Sequence, residues 1–95
     1  MSAMKELGEL RAQLDAIDDE IFRLFTQRAD LAEQIAAAKR LEGRAVLDPE
    51  RERAKVLDAR AKVPADLQDE GQRLMELLME SSRKRQHESM ANAQE

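Results

Sequence analysis

The sequence predicts an all-α protein, and three observations carry that prediction. Its 95 residues are rich in Ala, Leu, Glu, Lys, Arg and Gln and include two Phe but no Trp or Tyr, a mixture that favours helix over sheet. No proline or glycine interrupts the chain between Glu9 and Glu42. Apolar residues recur through that stretch in alternating steps of three and four, as on one face of a coiled coil. We expect a single domain over residues 1–95.

The first helix is expected over about residues 6–42, far beyond the usual mean of about 11 or 12 residues. Its uninterrupted part, the 34 residues from Glu9 to Glu42, would by itself be about 50 Å long, more than the width of a compact domain of this size. A second chain is therefore expected to cover its apolar face. We call that face the seam; it consists of Leu7, Leu10, Leu14, Ile17, Ile21, Leu24, Arg28, Leu31, Ile35 and Ala38.

The second helix is predicted over about residues 49–62. Gly43 is well suited to end the first helix in the left-handed conformation. Asp48 is a favourable N-cap, and Pro49 suits the first helical position because it lacks an N–H that would otherwise need a partner. We expect the inward face of this helix to consist of Ala54, Leu57 and Ala61.

The third helix is predicted over about residues 66–87. Val63-Pro64 should end the second helix, because the residue before a proline avoids helical angles. Asp66 is expected to cap the new helix. The polar tail over residues 88–95 is expected to fray.

Charge and composition exclude several classes of function. The net charge is −4, with acids and bases interspersed, whereas nucleic-acid binding needs a basic face. No stretch approaches membrane-spanning length and no apolar run at the start resembles a signal peptide, so we expect a cytoplasmic protein. The chain has no cysteine and its one histidine, His87, is expected on the surface, so no metal site is predicted.

Arg28 is the one charge within the seam. Burying an unpaired guanidinium is costly, so an anion should meet it, either Glu52 or Asp48 of the protein or a ligand. Lys39, 11 residues further on, lies on the same face of the helix as Arg28 to within about 20°. The α-carbons of the two residues are about 16 Å apart. Arg11 precedes Arg28 by about 25 Å of helix, so only a second protomer could bring it to the same small ligand.

Polar residues of the other two helices are candidates for the same site. Ser82 and Gln86 continue the apolar face of the third helix with a hydroxyl and an amide, which suit hydrogen bonding to a ligand. Asp48, Arg51 and Glu52 crowd the first turn of the second helix. Each group also has an ordinary explanation. The first turn could simply be solvated, Ser82 and Gln86 could belong to a fraying end, and Arg11 could be a surface residue.

The order and spacing of these residues resemble the all-helical chorismate mutases. The resemblance covers residues from about 7 to 86, and its motifs are Leu10-Arg11 with Ile17-Asp18, Arg28 with Leu31-Ala32, Lys39, Asp48-Pro49-Glu50-Arg51-Glu52, and Ser82-Arg83 with Gln86. It implies an intertwined homodimer of three-helix protomers with two equivalent active sites, each borrowing Arg11 from the partner subunit. The implied reaction is the Claisen rearrangement of chorismate to prephenate, on the route to phenylalanine and tyrosine.

The resemblance also implies how the substrate dianion is held. Arg28 and the borrowed Arg11 would bind its two carboxylates, since guanidinium groups can donate two parallel hydrogen bonds to a carboxylate. Arg51 and Ser82 would assist at the ring end. The substrate hydroxyl would be bound by Glu52 and by the backbone at Asp48.

Catalytic roles are implied for Lys39 and Gln86, which would donate to the ether oxygen as its bond to carbon breaks, together with Arg28. The rearrangement moves electrons within one molecule and needs no nucleophile, metal or cofactor. Relatives with Glu at the position of Gln86 need an acidic medium, so the neutral amide implies activity between pH 6 and 8.

Two other functions remain open on the sequence. An isochorismate-pyruvate lyase has the same fold and similar cations, but its second helix begins without the acid that Glu52 provides here. A helical dimerisation or regulatory module without catalysis has little reason to combine Arg28, Lys39 and Gln86. The same domain also occurs fused to other enzymes of the pathway.

Overall fold

The computed structural model describes residues 5–93, which form three α-helices and no strand. Helix α1 spans Leu7–Glu42, α2 spans Pro49–Ala61 and α3 spans Gln68–Ala93. A short 3₁₀ turn, Ala65–Leu67, precedes α3. The predicted fold class, all-α with one very long helix and two shorter ones, is confirmed.

The junction between α1 and α2 follows the local rules that its residues predict. Gly43 adopts φ 68°, and its N–H donates to Arg40 O while the N–H of Arg44 donates to Lys39 O at 2.8 Å. At the start of α2, the Asp48 carboxylate accepts a hydrogen bond from the backbone N–H of Arg51 at 3.2 Å. The left-handed glycine therefore ends α1, and the Asp48 cap begins α2.

Helix α3 departs from the prediction at both ends. Asp66 does not cap it; it lies inside the 3₁₀ turn, which closes when the N–H of Leu67 donates to Pro64 O at 2.9 Å. At the other end the helix continues to Ala93, through residues predicted to fray. No glycine or proline follows Gly71, so nothing in the chain interrupts the hydrogen-bond ladder. The prediction for residues 94 and 95 lies outside the described residues.

The predicted inward face of α2 is also wrong. Leu57 is 70% exposed, and Ala54 and Ala61 are exposed as well. Ala59 is the buried residue of this helix. The next residue, Arg60, donates hydrogen bonds to Asp69 and Gln72 of α3 at 3.0 and 2.9 Å. Because α3 is the main packing partner of α2, these contacts determine which face of α2 turns inward.

Helix α3 packs against both other helices, and the core of the protomer is small. The Cα radius of gyration is 17.8 Å, whereas a compact domain of this length has about 12 Å. Every residue from 5 to 27 is exposed, so the first half of α1 projects from the protomer with its apolar seam uncovered. The buried hydrophobic residues are Ala32, Ala36, Val46, Ala59 and Met79.

None of the helices within residues 5–93 combines the length and the apolar character needed to cross a bilayer.

The left-handed conformation of Gly43 allows a direct test of this junction. Gly43→Ala is expected to lower the free energy of unfolding by about 1 kcal/mol, because a Cβ disfavours positive φ. Gly8 lies within α1 with open space around it, so Gly8→Ala should instead raise stability by about 0.5 kcal/mol. Urea unfolding of both variants measures the difference, and equal effects would contradict the assignment of Gly43 as the helix terminator.

Candidate active site

A cavity of about 560 Å³ opens where the second half of α1, the linker to α2, the first turn of α2 and the second half of α3 meet. Seven of the eight predicted site residues line it. The remaining one, Arg11, lies on the projecting half of α1 and is exposed. The seven are Arg28, Lys39, Asp48, Arg51, Glu52, Ser82 and Gln86.

The lining of this cavity carries a surplus of positive charge. Its six cationic side chains outnumber three acidic ones, and apolar groups such as Leu31, Ile35 and Val46 fill the remaining wall. A partly enclosed cavity with this balance favours a small ligand that carries more than one negative charge. The cations are Arg28, Lys39, Arg44, Arg51, Lys55 and Arg83, and the acids are Glu42, Asp48 and Glu52.

Arg28 is half-buried and donates from Nη1 to the backbone carbonyl of Leu78 on α3 at 3.0 Å. Within residues 5–93 it forms no ion pair with a carboxylate. Of the two alternatives for its anion, the ion pair with Glu52 or Asp48 is not formed, because Glu52 pairs with Arg83 and Asp48 caps α2, and the ligand remains. The guanidinium is therefore fixed by one hydrogen bond and keeps other donors for a ligand.

Lys39 is held by the linker that follows α1. Its ammonium donates to the backbone carbonyl of Val46 at 2.5 Å, and Val46 itself is buried. The turn at Gly43 makes this contact possible, because it folds the linker back along the last turn of α1. An ammonium has three donors, so this bond leaves two for a ligand.

Gln86 is only 5% exposed, an unusual degree of burial for an amide. Its Nε2 donates to Ser82 Oγ at 2.9 Å, one turn earlier on α3, while Oε1 is buried without a partner among the described residues. Because α3 continues past both residues, the alternative that they belong to a fraying end is wrong. Rotating the amide by 180° would let Ser82 donate to Oε1 and turn Nε2 to a ligand.

The first turn of α2 is only partly solvated. Arg51 is exposed, but the side chain of Glu52 is 26% exposed and pairs with Arg83 of α3 through Oε1 and Nη1 at 2.5 Å. Asp48 is half-buried, and its carboxylate is used in capping. Two sides of the cavity, α2 and α3, are thus joined at Glu52.

Sequence reasoning missed three groups of this site: the side chain of Arg83 and the carbonyls of Val46 and Leu78. Arg83 belongs to a motif noted in the sequence, but as the neighbour of Ser82 it lies about 100° around the helix from it. One signal for Arg83 was available. Glu52 is an acid placed in the site, and a half-buried acid needs a cation, which another helix had to supply. The carbonyl contacts leave no trace in the sequence, because every residue has a carbonyl.

Groups with shifted pKa lie away from the cavity. A hydrogen bond from Arg23 lowers the pKa of Glu20, and one from Lys62 lowers the pKa of Asp58. All four residues are at the surface. No group of three potential metal ligands is clustered within residues 5–93, and His87 is exposed.

The family model for chorismate mutase type II matches residues 10–87, which include all eight predicted site residues. The chain belongs to the chorismate mutase type II family. This confirms the family identified from the sequence motifs. The enzyme class expected from the sequence, an isomerase, is that of the chorismate mutases and is taken up below as a proposal.

Three curated proteins show the extent of this similarity. The T-protein of Haemophilus influenzae is 38% identical over 72 residues, which are 70% of this chain and 19% of that protein. The bifunctional chorismate mutase/prephenate dehydratase of Aquifex aeolicus is 48% identical over 50 residues, 53% of this chain and 14% of that protein. The chorismate mutase of Methanocaldococcus jannaschii is 38% identical over 50 residues, 53% of this chain and 50% of that protein.

The chain spans half or less of the length of each of these relatives. No solved structure matches the chain significantly.

Proposed function

We propose that this chorismate mutase domain converts chorismate to prephenate by a Claisen rearrangement, in the biosynthesis of phenylalanine and tyrosine. The observation that carries the proposal is the cavity itself. Three helices bring seven of the eight predicted residues to one positively charged space, in which Arg28 has no carboxylate partner among residues 5–93. Chorismate carries two carboxylates, an ether oxygen and a hydroxyl, and the cavity offers groups suited to each.

The carboxylates are bound by arginines. Arg28, fixed through Leu78, takes one carboxylate together with Arg11 of the partner subunit, while Arg51 and Ser82 assist at the ring end. Holding both ends of the substrate folds the enolpyruvyl arm over the ring, so the two carbons that become bonded stay close. Conformational restriction of this kind lowers the barrier without any covalent chemistry.

The ether oxygen is served by Lys39 and Gln86. In the rearrangement the C–O bond breaks as a C–C bond forms, so negative charge grows on this oxygen in the transition state. The Lys39 ammonium and the Gln86 amide, turned so that Nε2 faces the ligand, donate to it there. Donors already in place when charge develops stabilise the transition state more than the substrate.

The substrate hydroxyl is bound by Glu52 and by the backbone at Asp48. The ion pair with Arg83 uses Oε1 of Glu52, and a carboxylate has further lone pairs that accept a hydroxyl proton. This acid favours the mutase over the isochorismate-pyruvate lyase. No cofactor is proposed, and the cytoplasmic location remains a prediction.

A homodimer completes the site in this proposal. Leu14, Ile17 and Ile21 of the seam are 57%, 57% and 52% exposed in the protomer. Covering this stripe with a partner would contribute about 25 cal/mol of favourable free energy for each Å² of apolar surface removed from water. Pairing the projecting halves of two α1 helices buries the stripe and brings Arg11 of one chain to Arg28 of the other. An obligate dimer is the physical reason for the small core.

The test is the loss of chorismate absorbance on mixing with purified protein, and the chain helps because it contains no Trp or Tyr. We expect conversion that varies little between pH 6 and 8, with prephenate as the product. Arg28→Ala should remove it. Salicylate fluorescence from isochorismate would instead identify the lyase. No reaction with either substrate would support the non-catalytic module and overturn the proposal.

The proposed role of Gln86 as a hydrogen-bond donor can be tested with a variant whose activity should depend on pH. Gln86→Glu should be active only in acid, because a carboxyl donates a hydrogen bond only when protonated and its ordinary pKa is about 4.3. As the pH rises, the ionised group becomes an acceptor that repels the developing negative charge. A variant with the flat profile of the parent would contradict the role of Gln86 as a donor.

A further inference from the structure

We propose that Arg83 is a positioning residue for the reaction and that it acts by keeping Glu52 away from the cations that bind the substrate. The inference rests on the proposed function, which assigns the cavity to a dianion. It concerns a residue that contacts Glu52, not one that contacts the substrate. Its support comes from three features of the cavity: the partner of Glu52, the competing cations and the way α2 is attached.

Glu52 and Arg83 form a directed, half-buried pair. Nη1 of Arg83 lies 2.5 Å from Oε1 of Glu52, and the two side chains are 31% and 26% exposed. Charge-assisted hydrogen bonds in such surroundings are stronger than those at the surface. The pair crosses from α3 to α2 and lies in the wall of the cavity.

Without Arg83, the Glu52 carboxylate would have other cations available. Arg28, Arg51 and Lys55 line the same cavity, and none of them forms an ion pair with Glu52 in the described structure. A freed carboxylate in a cavity with surplus positive charge pairs with one of these groups, because an unpaired buried charge is costly. The substrate would then have to displace the Glu52 carboxylate from that cation. By pairing with Glu52, Arg83 prevents the carboxylate from competing with the substrate.

The pair also attaches the cavity end of α2. At its other end α2 is joined to α3 by Arg60, which donates to Asp69 and Gln72. Glu52 lies in the first turn of α2, close to the cap at Asp48 that is proposed to bind the substrate hydroxyl. The Arg83 contact therefore holds the first turn of α2, which carries both the acid and the cap, against α3.

The same helix offers a matched control. Arg85 joins α3 to another helix, with its Nε 3.0 Å from Glu33 of α1, and its side chain is 41% exposed. It does not line the cavity. Arg85→Met removes an interhelical ion pair that is more exposed than the Arg83 pair and lacks its hydrogen bond, without freeing an acid into the site.

The experiment compares Arg83→Met with Arg85→Met in the full chain, by steady-state kinetics with chorismate and by thermal unfolding. We expect Arg83→Met to raise KM by about 10-fold or more and to change kcat by less than about 3-fold, the pattern expected when substrate and transition state lose binding equally. Arg85→Met should leave both parameters within about 2-fold of the parent, and its Tm should fall no more than that of Arg83→Met, because its ion pair is more exposed. Arg83→Lys should restore most of the KM, because an ammonium can still hold Oε1.

A double-mutant cycle tests the route through Glu52. In a Glu52→Gln background there is no carboxylate to compete, so Arg83→Met should raise KM by no more than about 2-fold. The inference would be overturned if the increases in KM caused by Glu52→Gln and Arg83→Met multiplied in the double variant. Equal kinetic effects of Arg83→Met and Arg85→Met, or an unchanged KM in Arg83→Met, would overturn it as well. If Arg83→Met does not fold, Arg83→Gln takes its place, because it also removes the cation, and an unchanged KM in that variant would overturn the inference. An inactive parent protein would overturn the proposed function, and this inference with it.

Discussion

Replacing Lys39 by alanine is expected to lower kcat for chorismate by about 100-fold or more, the usual effect of losing one donor to a developing oxyanion, and Gln86→Ala should do the same. The reason is that both donors act on charge that is much larger in the transition state than in the substrate. Lys39 is held ready by the carbonyl of Val46, and Gln86 is buried beside Ser82. Lys39 is already positioned by the linker, and Gln86 needs only the rotation of its buried amide when the substrate binds. The loss should therefore fall mainly on kcat and less on KM.

Two exposed neighbours provide controls for this measurement. Arg40→Ala removes the cation next to Lys39, and Gln34→Ala removes an amide elsewhere on α1. Both residues are exposed, and neither lines the cavity. Both variants should keep kcat within about 2-fold, as surface substitutions usually do. Rates near those of the parent in both Lys39→Ala and Gln86→Ala would remove the assignment of these donors to the ether oxygen.

Mixing two inactive variants is expected to restore activity if Arg11 acts across the dimer. Arg11→Ala and Arg28→Ala should each reduce kcat/KM by about 100-fold or more, the effect of losing a buried guanidinium partner of a carboxylate. After co-refolding, half of the dimers contain one chain of each kind. In these mixed dimers one site has both arginines intact. Random pairing in a two-fold symmetric dimer therefore predicts recovery of about a quarter of the parent activity.

The control for this experiment is a mixture of Arg28→Ala with Lys39→Ala. Both residues line the cavity of their own protomer, so every site in the mixed dimers still lacks one of them. No recovery is expected. Recovery in this mixture, or none with Arg11→Ala, would contradict the exchange of Arg11 between subunits. Sedimentation of the parent and of Ile17→Asp checks the dimer independently, because a charge in the exposed seam should favour the monomer.

Local signals were sufficient for most of the fold. Asp48, Pro49 and Gly43 act through hydrogen bonds and backbone angles of neighbouring residues, so their effects were readable from the sequence. The long uninterrupted stretch up to Glu42 predicted α1 for the same reason. The end of α3 was harder, since polar composition alone does not stop a helix that lacks glycine and proline. Asp66 was misassigned because the 3₁₀ turn after Pro64 already begins the helical path.

The site was predictable as a set of residues but not as a set of contacts. Helical geometry placed Arg28 and Lys39 on one face, and the motifs of the family added Gln86 and the first turn of α2. The pairing of Glu52 with Arg83 depends on how α2 crosses α3, which no spacing within one helix reveals. The inward face of α2 was wrong for the same reason.

The sequence by itself determined the helices and the seam, because periodicity, caps and helix breakers act over a few neighbouring residues. Its resemblance to a family added most of the candidate residues that line the cavity, but not the role of Arg83. Only the tertiary structure decided the partners of the charged groups. It showed that Arg28 is held by the carbonyl of Leu78 and Lys39 by that of Val46. It also showed that Arg83 forms an ion pair with Glu52, so that within residues 5–93 Arg28 has no carboxylate partner. These choices follow from distances between helices far apart in the chain, and they leave the positive charge of the cavity available to a ligand.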